Sequence, residues 1–176
     1  MSANGFRVLG FAMRTWQQLP NPLLPHNVEQ DFTLLGALGM IDPPRPEAAQ
    51  SVHWCKTAGI HTVMITGDHP QTARYIAQKL GIITHKNDLV ITGSEMLQMT
   101  THELESKVSH IKVYAPVTPE QKFAIVEALQ RKGQFVAMTG DGVNDAPSLK
   151  HADIGVAMAI TGTDVAKETA DMVLTD

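Results

Sequence analysis

Short apolar runs alternate with amphipathic stretches along most of the chain, a pattern that predicts strands connected by helices. The apolar runs are rich in Val, Ile, Leu and Met, as strands covered on both faces are. Because the two kinds of segment alternate, we expect a parallel sheet with helices on both faces. The predicted strands are residues 7–14, 61–65, 89–92, 111–115, 134–138, 154–158 and 172–174.

Prolines, glycines and a capping pattern mark where the helices begin and end. Pro46 suits the first turn of a helix, and Gly81 suits the position just after one. Thr118 and Gln121 have the spacing of a capping box, in which the threonine caps the helix and the glutamine bonds back to it. The predicted helices are residues 46–58, 70–80, 101–109, 119–131, 146–151 and 164–170.

The overall composition excludes several classes of protein. The 176 residues are 43% apolar and carry 14 basic against 18 acidic side chains, for a net charge of −4. That charge excludes a strongly basic nucleic-acid-binding protein, and the apolar content excludes a disordered chain. The single cysteine, Cys55, excludes an internal disulfide and a zinc site built from several cysteines.

The tripeptide Thr-Gly-Asp occurs twice, at residues 66–68 and 139–141, and each copy follows a predicted buried strand. In parallel α/β sheets, ligands bind at the edge where the strands end. For one copy alone, good turn chemistry is the better explanation. Two copies at equivalent places shift the balance toward a shared binding site at that edge.

The second copy opens the segment that is richest in candidate chemistry, residues 139–145. Asp141 and Asp145 are four residues apart, so one helical turn places both carboxylates on one face, with Asn144 beside them. Carboxylate and amide oxygens suit Mg²⁺, which takes one or two carboxylates together with phosphate oxygens and water. A turn that caps the helix at Pro147 explains the same residues equally well. Local chemistry leaves both interpretations open.

Three further residues are candidates for binding a phosphoryl group. Lys122 lies in the first turn of a predicted helix, where the helix dipole gives a cation no advantage. The Thr66 hydroxyl and the Gly67 N–H could donate hydrogen bonds to the same group. Taken alone, Lys122 is more simply explained as a solvated surface lysine, and Thr66 as a residue that caps the end of a strand.

Taken together and in this order, the motifs resemble the phosphorylation domain of P-type cation-transporting ATPases. The resemblance covers essentially all of residues 7–176, and its most specific part is the segment 139–147. Residues 42–45 resemble the hinge that returns from the nucleotide-binding domain of those pumps, and residues 118–122 resemble their lysine motif. The segments that look like the calcium-pump-like branch are residues 153–158, 162–167 and 170–174.

The resemblance implies a haloacid dehalogenase-like (Rossmannoid) α/β fold and a role for each matched residue. Asp141 would hold Mg²⁺, and Asp145 would support that metal site. Asp68 would lie near the nucleotide phosphates and the metal, while Asp42 and Arg45 would belong to the hinge and the ATP side. The residues implied to bind the transferred phosphoryl group are Thr66, Gly67, Lys122 and Asn144.

The sequence departs from that family in two ways. The family's nucleophile is an aspartate in Asp-Lys-Thr-Gly-Thr, on a strand between those that end at Thr66 and Thr139, and this segment is absent. We therefore expect the chain alone to form no aspartyl phosphate. We also expect the two flanking strands to close up, or another segment or chain to fill the gap, as in a strand-swapped homo-oligomer. Pro116 stands where the family commonly has an arginine that contacts the nucleotide.

The resemblance assigns residues 1–31 to the end of a nucleotide-binding domain and its linker, and residues 32–176 to a partial phosphorylation domain. The implied partners are the other parts of a pump: its membrane helices, nucleophile strand, nucleotide-binding domain and actuator domain. The chain would lie at the cytoplasmic face of a membrane, use Mg²⁺ and ATP, bind no nucleic acid and serve the transport of a cation, with Ca²⁺ suggested by the branch.

Two other functions stay open at this point. One is a free-standing phosphatase of the same fold, although the Asp-x-Asp pair that such an enzyme needs is not present. The other is a non-enzymatic regulator that binds Mg²⁺ or phosphate.

Overall fold

Eight strands form three separate sheets in the part of the chain that the computed structural model describes, residues 5–175. One sheet is an antiparallel hairpin, and the other two have three parallel strands each. The strands are β1 (Arg7–Met13), β2 (Thr33–Met40), β3 (Met64–Ile65), β4 (Leu89–Ile91), β5 (Ile111–Tyr114), β6 (Ala137–Gly140), β7 (Ile154–Met158) and β8 (Met172–Leu174).

Helices connect the parallel strands, and this confirms the α/β class that the alternating pattern predicts. Two short 3-10 turns, Val108–His110 and Val143–Asp145, precede β5 and the helix after β6. The helices are α1 (Pro25–Val28), α2 (Pro46–Thr57), α3 (Pro70–Lys79), α4 (Gly93–Leu97), α5 (Thr101–Lys107), α6 (Pro119–Arg131), α7 (Ala146–His151) and α8 (Asp164–Thr169).

The two parallel sheets are ordered β3-β5-β4 and β6-β7-β8, so β3 and β6 each have one partner and one free edge. The expectation that these two strands close up is therefore wrong, because β3 and β6 do not pair with each other, and within residues 5–175 no other segment pairs with the free edge of either strand. Of the apolar runs 61–65 and 134–138, only Met64–Ile65 and the residues from Ala137 onward form a ladder. Val136, just before β6, is bonded without being part of the ladder: its carbonyl accepts the N–H groups of Asp153 and Ile154, and its own N–H donates to Asp153 Oδ2.

Apolar side chains of the parallel sheets pack into three clusters of buried residues. Ile111 and Ile125 are fully buried in the cluster around β5 and α6, and Val126 and Met138 are buried in the cluster around β6 and α7. Ile65, the last residue of β3, packs against both of these clusters. Side-chain packing thus holds the end of β3 near the β6 sheet without a backbone ladder between them.

The hairpin of β1 and β2 stands apart from this core. Every residue of β1 is exposed, and β2 is exposed at all but one position, so the hairpin adds no residue to the buried clusters. β1 confirms the strand predicted at residues 7–14, whereas β2 is not among the strands that the sequence predicts. The division between residues 1–31 and 32–176 stays a prediction.

Capping boxes fix the starts of three helices in the described chain. At α6, the Gln121 N–H donates to the Thr118 hydroxyl at 3.4 Å and the Thr118 N–H donates to Gln121 Oε1 at 2.9 Å, which confirms the predicted box. Thr92 and Glu95 form the same arrangement at α4. The sequence pattern does not predict α4, because five residues are too few to show a helical period. Gln121 Nε2 also donates to the Gly93 carbonyl at 2.8 Å, which joins α6 to α4.

Asp153 joins the start of β6 to α6 and to the end of α7. Its Oδ2 atom accepts hydrogen bonds from the Val136 N–H at 2.8 Å and from Gln130 Nε2 at 3.2 Å. The bond from Val136, followed by that from Gln130, lowers the pKa of Asp153 below its ordinary value. Because the pKa of Asp153 is lower in the folded state than in the unfolded state, its carboxylate stabilises the fold at pH values above the unfolded-state pKa. This stabilisation is lost as the pH falls through the folded-state pKa.

We therefore expect Asp153→Asn to unfold at a lower urea concentration than the unchanged chain near neutral pH. The difference should shrink as the pH falls below about 4, because the aspartate then becomes protonated. Urea unfolding at a series of pH values measures this. Asp164→Asn is the control, since it removes the same charge from a side chain that is 95% exposed. Curves of stability against pH that run parallel for Asp153→Asn and the unchanged chain would contradict the role of Asp153.

Candidate functional site

The first Thr-Gly-Asp segment follows β3 directly. The Thr66 N–H donates to the Tyr114 carbonyl at 3.0 Å and so extends the β3-β5 ladder by one residue. The Thr66 hydroxyl oxygen accepts the Asp68 N–H at 3.1 Å, which folds the tripeptide into a turn. Because the hydroxyl oxygen accepts this bond, its own O–H remains available as a donor. Gly67 and Asp68 are exposed.

The second Thr-Gly-Asp segment ends β6 and continues into the 3-10 turn Val143–Asp145. Asp145 Oδ2 accepts the Gly142 N–H at 3.1 Å, and the Asp141 carbonyl accepts the Thr163 N–H at 2.8 Å. Gly140 packs so closely that a Cβ atom there would lie 2.5 Å from Asp145 Cβ. The loop is therefore held from both sides, and Asp145 is fixed against the end of β6.

An ion pair connects this loop to α6. Lys122 Nζ lies 2.6 Å from Asp145 Oδ1, and the two side chains are only 17% and 10% exposed. Partial exclusion of water strengthens the attraction between the two charges compared with an exposed pair. One oxygen of the Asp145 carboxylate accepts a hydrogen bond from Lys122 and the other accepts one from the Gly142 N–H, so both oxygens have partners. The pair fixes the lysine ammonium beside the Asp141 loop.

The ion pair decides between interpretations that the sequence leaves open. Lys122 is not the solvated surface lysine that its position suggests, because most of its side chain is covered. The structure agrees in part with the interpretation as a turn before the helix, because residues 142–145 lead directly into α7 with Asp145 at its N-cap position. The Asp145 side chain makes no capping bond to α7, and its bond to Gly142 closes the 3-10 turn instead.

Several polar groups around the pair keep hydrogen-bonding capacity for a ligand. A lysine ammonium has three N–H donors, and Asp145 takes one of those on Lys122. The Asp141 carboxylate and the Asn144 amide are exposed, and no side chain among residues 5–175 bonds either of them. The site thus combines a fixed cation with an unpaired carboxylate on one loop.

Other predicted site residues are not joined to this pair. Asp42, Arg45 and Asp68 are exposed, and no side-chain bond connects them to Lys122 or Asp145 in the described part of the chain. Within that part, no group of three or more His, Cys, Asp or Glu side chains could hold a metal ion. The roles of all nine predicted site residues therefore stay predictions.

Two backbone N–H groups position the loop, and only Gly142 of these two residues is a candidate from the sequence. The N–H groups of Gly142 and Thr163 donate to Asp145 and Asp141, respectively. Thr163 is also the N-cap of α8, where its hydroxyl accepts the Ala166 N–H at 3.4 Å. A threonine just before a predicted helix is a recognisable cap signal, but its contact with Asp141 depends on the tertiary fold.

No helix in residues 5–175 has both the length and the apolar character needed to cross a membrane.

Comparison with known proteins agrees with the geometry. A family model described as haloacid dehalogenase-like hydrolase matches residues 11–153. Over its whole length the chain is 53% identical to calcium-transporting ATPase 1 of Bacillus cereus and 49% identical to cation-transporting ATPase pma1 of Synechocystis. It is 46% identical to calcium-transporting ATPase 1 of Saccharomyces cerevisiae. The chain covers 20%, 19% and 18% of these relatives, so it spans about a fifth of their length.

These matches confirm two of the expectations from the sequence. The resemblance to cation-transporting ATPases extends over the whole chain, and the α/β fold is of the haloacid dehalogenase-like type. They carry no information about which residues bind a metal or a phosphoryl group.

Proposed function

Because the chain belongs to the haloacid dehalogenase-like hydrolase family, we propose that it is the phosphoryl-transfer part of an ATP-driven P-type cation pump. The observation that carries this proposal is the 2.6 Å ion pair between Lys122 and Asp145. It joins two motifs that lie 23 residues apart in the sequence and places a cation beside the Asp141 carboxylate loop. Phosphoryl transfer depends mainly on positioning and on neutralising charge, and a fixed cation beside a metal-binding carboxylate supplies both.

In this proposal, four residues bind the transferred phosphoryl group. Lys122 donates its two remaining N–H groups, and the Asn144 amide donates from the exposed side of the loop. The Thr66 O–H and the Gly67 N–H donate from the end of β3. Packing of Ile65 against both clusters supports this convergence, because it holds the end of β3 close to the β6 sheet.

Asp141 and Asp145 form the Mg²⁺ site of the proposal. The donor set fits Mg²⁺, since the unpaired Asp141 carboxylate is a hard oxygen ligand and phosphate oxygens and water complete the coordination. When bound, Mg²⁺ neutralises charge on the phosphoryl oxygens. Asp145 supports the site by holding Lys122 and the Gly142 N–H, which fixes the loop that carries Asp141.

ATP binds on the side that carries Asp68, Asp42 and Arg45. All three side chains are exposed and without side-chain partners in the described residues, which leaves them available to a nucleotide. The pump as a whole, its cytoplasmic orientation at a membrane and its transport of a cation such as Ca²⁺ are parts of the same proposal. The names of the relatives support it.

A strand from elsewhere completes the site. The free edges of β3 and β6 support this part of the proposal, because both strands end at the site and neither has a second partner. The nucleophile strand of the rest of the pump lies between them, and in its absence a strand of a second copy of the chain can occupy the same place.

The chain alone is therefore proposed to be inactive in phosphoryl transfer. Incubation with acetyl phosphate and Mg²⁺, followed by hydroxylamine treatment, tests this directly. We expect no hydroxylamine-labile phosphoryl adduct, because no aspartate of the chain follows a strand in the nucleophile position. A stoichiometric adduct would show that one of the present carboxylates acts as the nucleophile.

We expect Mg²⁺ and inorganic phosphate together to shift the backbone amide NMR signals of Thr66, Gly67, Lys122 and residues 141–145. Asp141→Asn should weaken the Mg²⁺-dependent part of this response by about ten- to a hundredfold, because a neutral amide is a poor substitute for a carboxylate ligand. Titration of Mg²⁺ at fixed phosphate gives the affinity.

The matched control for this titration is Asp31→Asn. It removes the same charge from an exposed aspartate in the segment between β1 and β2. The control should bind Mg²⁺ like the unchanged chain. Equal affinities of Asp141→Asn and the control would overturn the proposed metal site, as would shifts that spread over the surface without concentrating in residues 141–145.

A further inference from the structure

A cavity of about 350 Å³ lies between α3 and the loop that precedes β4. It shares no lining residue with the proposed phosphoryl site, and its two α3 residues lie in the second and third turns of that helix. The residues that line it come from two turns of α3 and from four consecutive loop positions: Arg74, Gln78, Ile83, Thr84, His85 and Lys86.

The lining of this cavity is cationic although the chain as a whole has a net charge of −4. Arg74 and Lys86 are exposed, and neither forms an ion pair or a side-chain hydrogen bond with any described residue. No carboxylate is among the residues that line the cavity, so the lining itself carries two permanent positive charges.

The side chain of Asp88, the acidic residue of this loop, is hydrogen-bonded to the loop backbone. Its Oδ2 atom accepts the N–H groups of Thr84 and His85, both at 2.8 Å. These bonds, that from His85 first, lower the pKa of Asp88, so its carboxylate stays ionised and holds the loop in place. The loop backbone at Thr84 and His85 is therefore held in place beside the cavity that the loop lines together with α3.

We propose that this cavity is a binding site for a phosphate monoester. A phosphate monoester carries a charge of about −1.5 to −2 near neutral pH, which matches the two permanent cations. The guanidinium of Arg74 can bind two phosphate oxygens at once, Lys86 binds as a point charge, and the Thr84 hydroxyl and Gln78 amide add neutral donors. The cavity volume is at the small end of the roughly 300–1,000 Å³ typical of ligand sites, which suits a small head group.

The test uses the whole chain and two sources of the same chemical group. Glycerol 3-phosphate is the soluble source, followed by backbone amide NMR signals of Arg74 and residues 84–86. Phosphatidylcholine vesicles with and without phosphatidic acid are the membrane source, followed by cosedimentation. Signals of Thr66, Gly67 and Lys122 report the phosphoryl site in the same titration, so failure of one site is distinguishable from failure of the other.

Charge-matched double variants make the test specific. We expect Arg74→Gln with Lys86→Gln to weaken binding by about tenfold or more, because both charged donors are lost. Arg7→Gln with Lys56→Gln removes the same two charges elsewhere on the exposed surface and should bind like the unchanged chain.

Each outcome of this comparison has a defined meaning. A response to glycerol 3-phosphate supports a soluble ligand, and cosedimentation only with phosphatidic acid supports a lipid head group. The proposal is overturned if neither probe binds, if chloride at equal ionic strength produces the same shifts, or if the two double variants bind equally well.

Discussion

The ion pair between Lys122 and Asp145 is the interaction on which the site depends. It brings the start of α6 to the loop after β6, and the same carboxylate bonds the Gly142 N–H and closes the turn that follows Asp141. One side chain therefore fixes both a cation and the loop that carries the unpaired carboxylate. Because both partners are mostly covered, loss of either would leave the other charge poorly solvated.

The two parallel sheets determine where this pair lies. β3 and β6 both lead into a Thr-Gly-Asp segment, both have a free edge, and Ile65 packs against the clusters of both sheets. The fold thus holds the two strand ends near each other while leaving their facing edges unpaired. This arrangement supports the proposal that Thr66 and Asp141 contact one ligand and that a strand from outside the chain lies between β3 and β6.

Local patterns predict the parts of the fold that local interactions determine. The start of α6 follows from Thr118 and Gln121, and the α/β class follows from the alternation of apolar runs and helices. The lengths of β3 and β6 could not be predicted, because a strand also needs a neighbour. The partner of Lys122 could not be identified from the sequence, since it lies 23 residues away and local chemistry favoured a surface lysine.

A double-mutant cycle on Lys122 and Asp145 tests the central claim most directly. Urea unfolding of the unchanged chain, Lys122→Met, Asp145→Asn and the double variant gives the coupling free energy between the two side chains. We expect a coupling free energy of about 2 kcal/mol between the two side chains, as for a mostly covered, hydrogen-bonded ion pair. A coupling below about 0.5 kcal/mol, typical of an exposed pair, would mean that the two charges do not hold the site together.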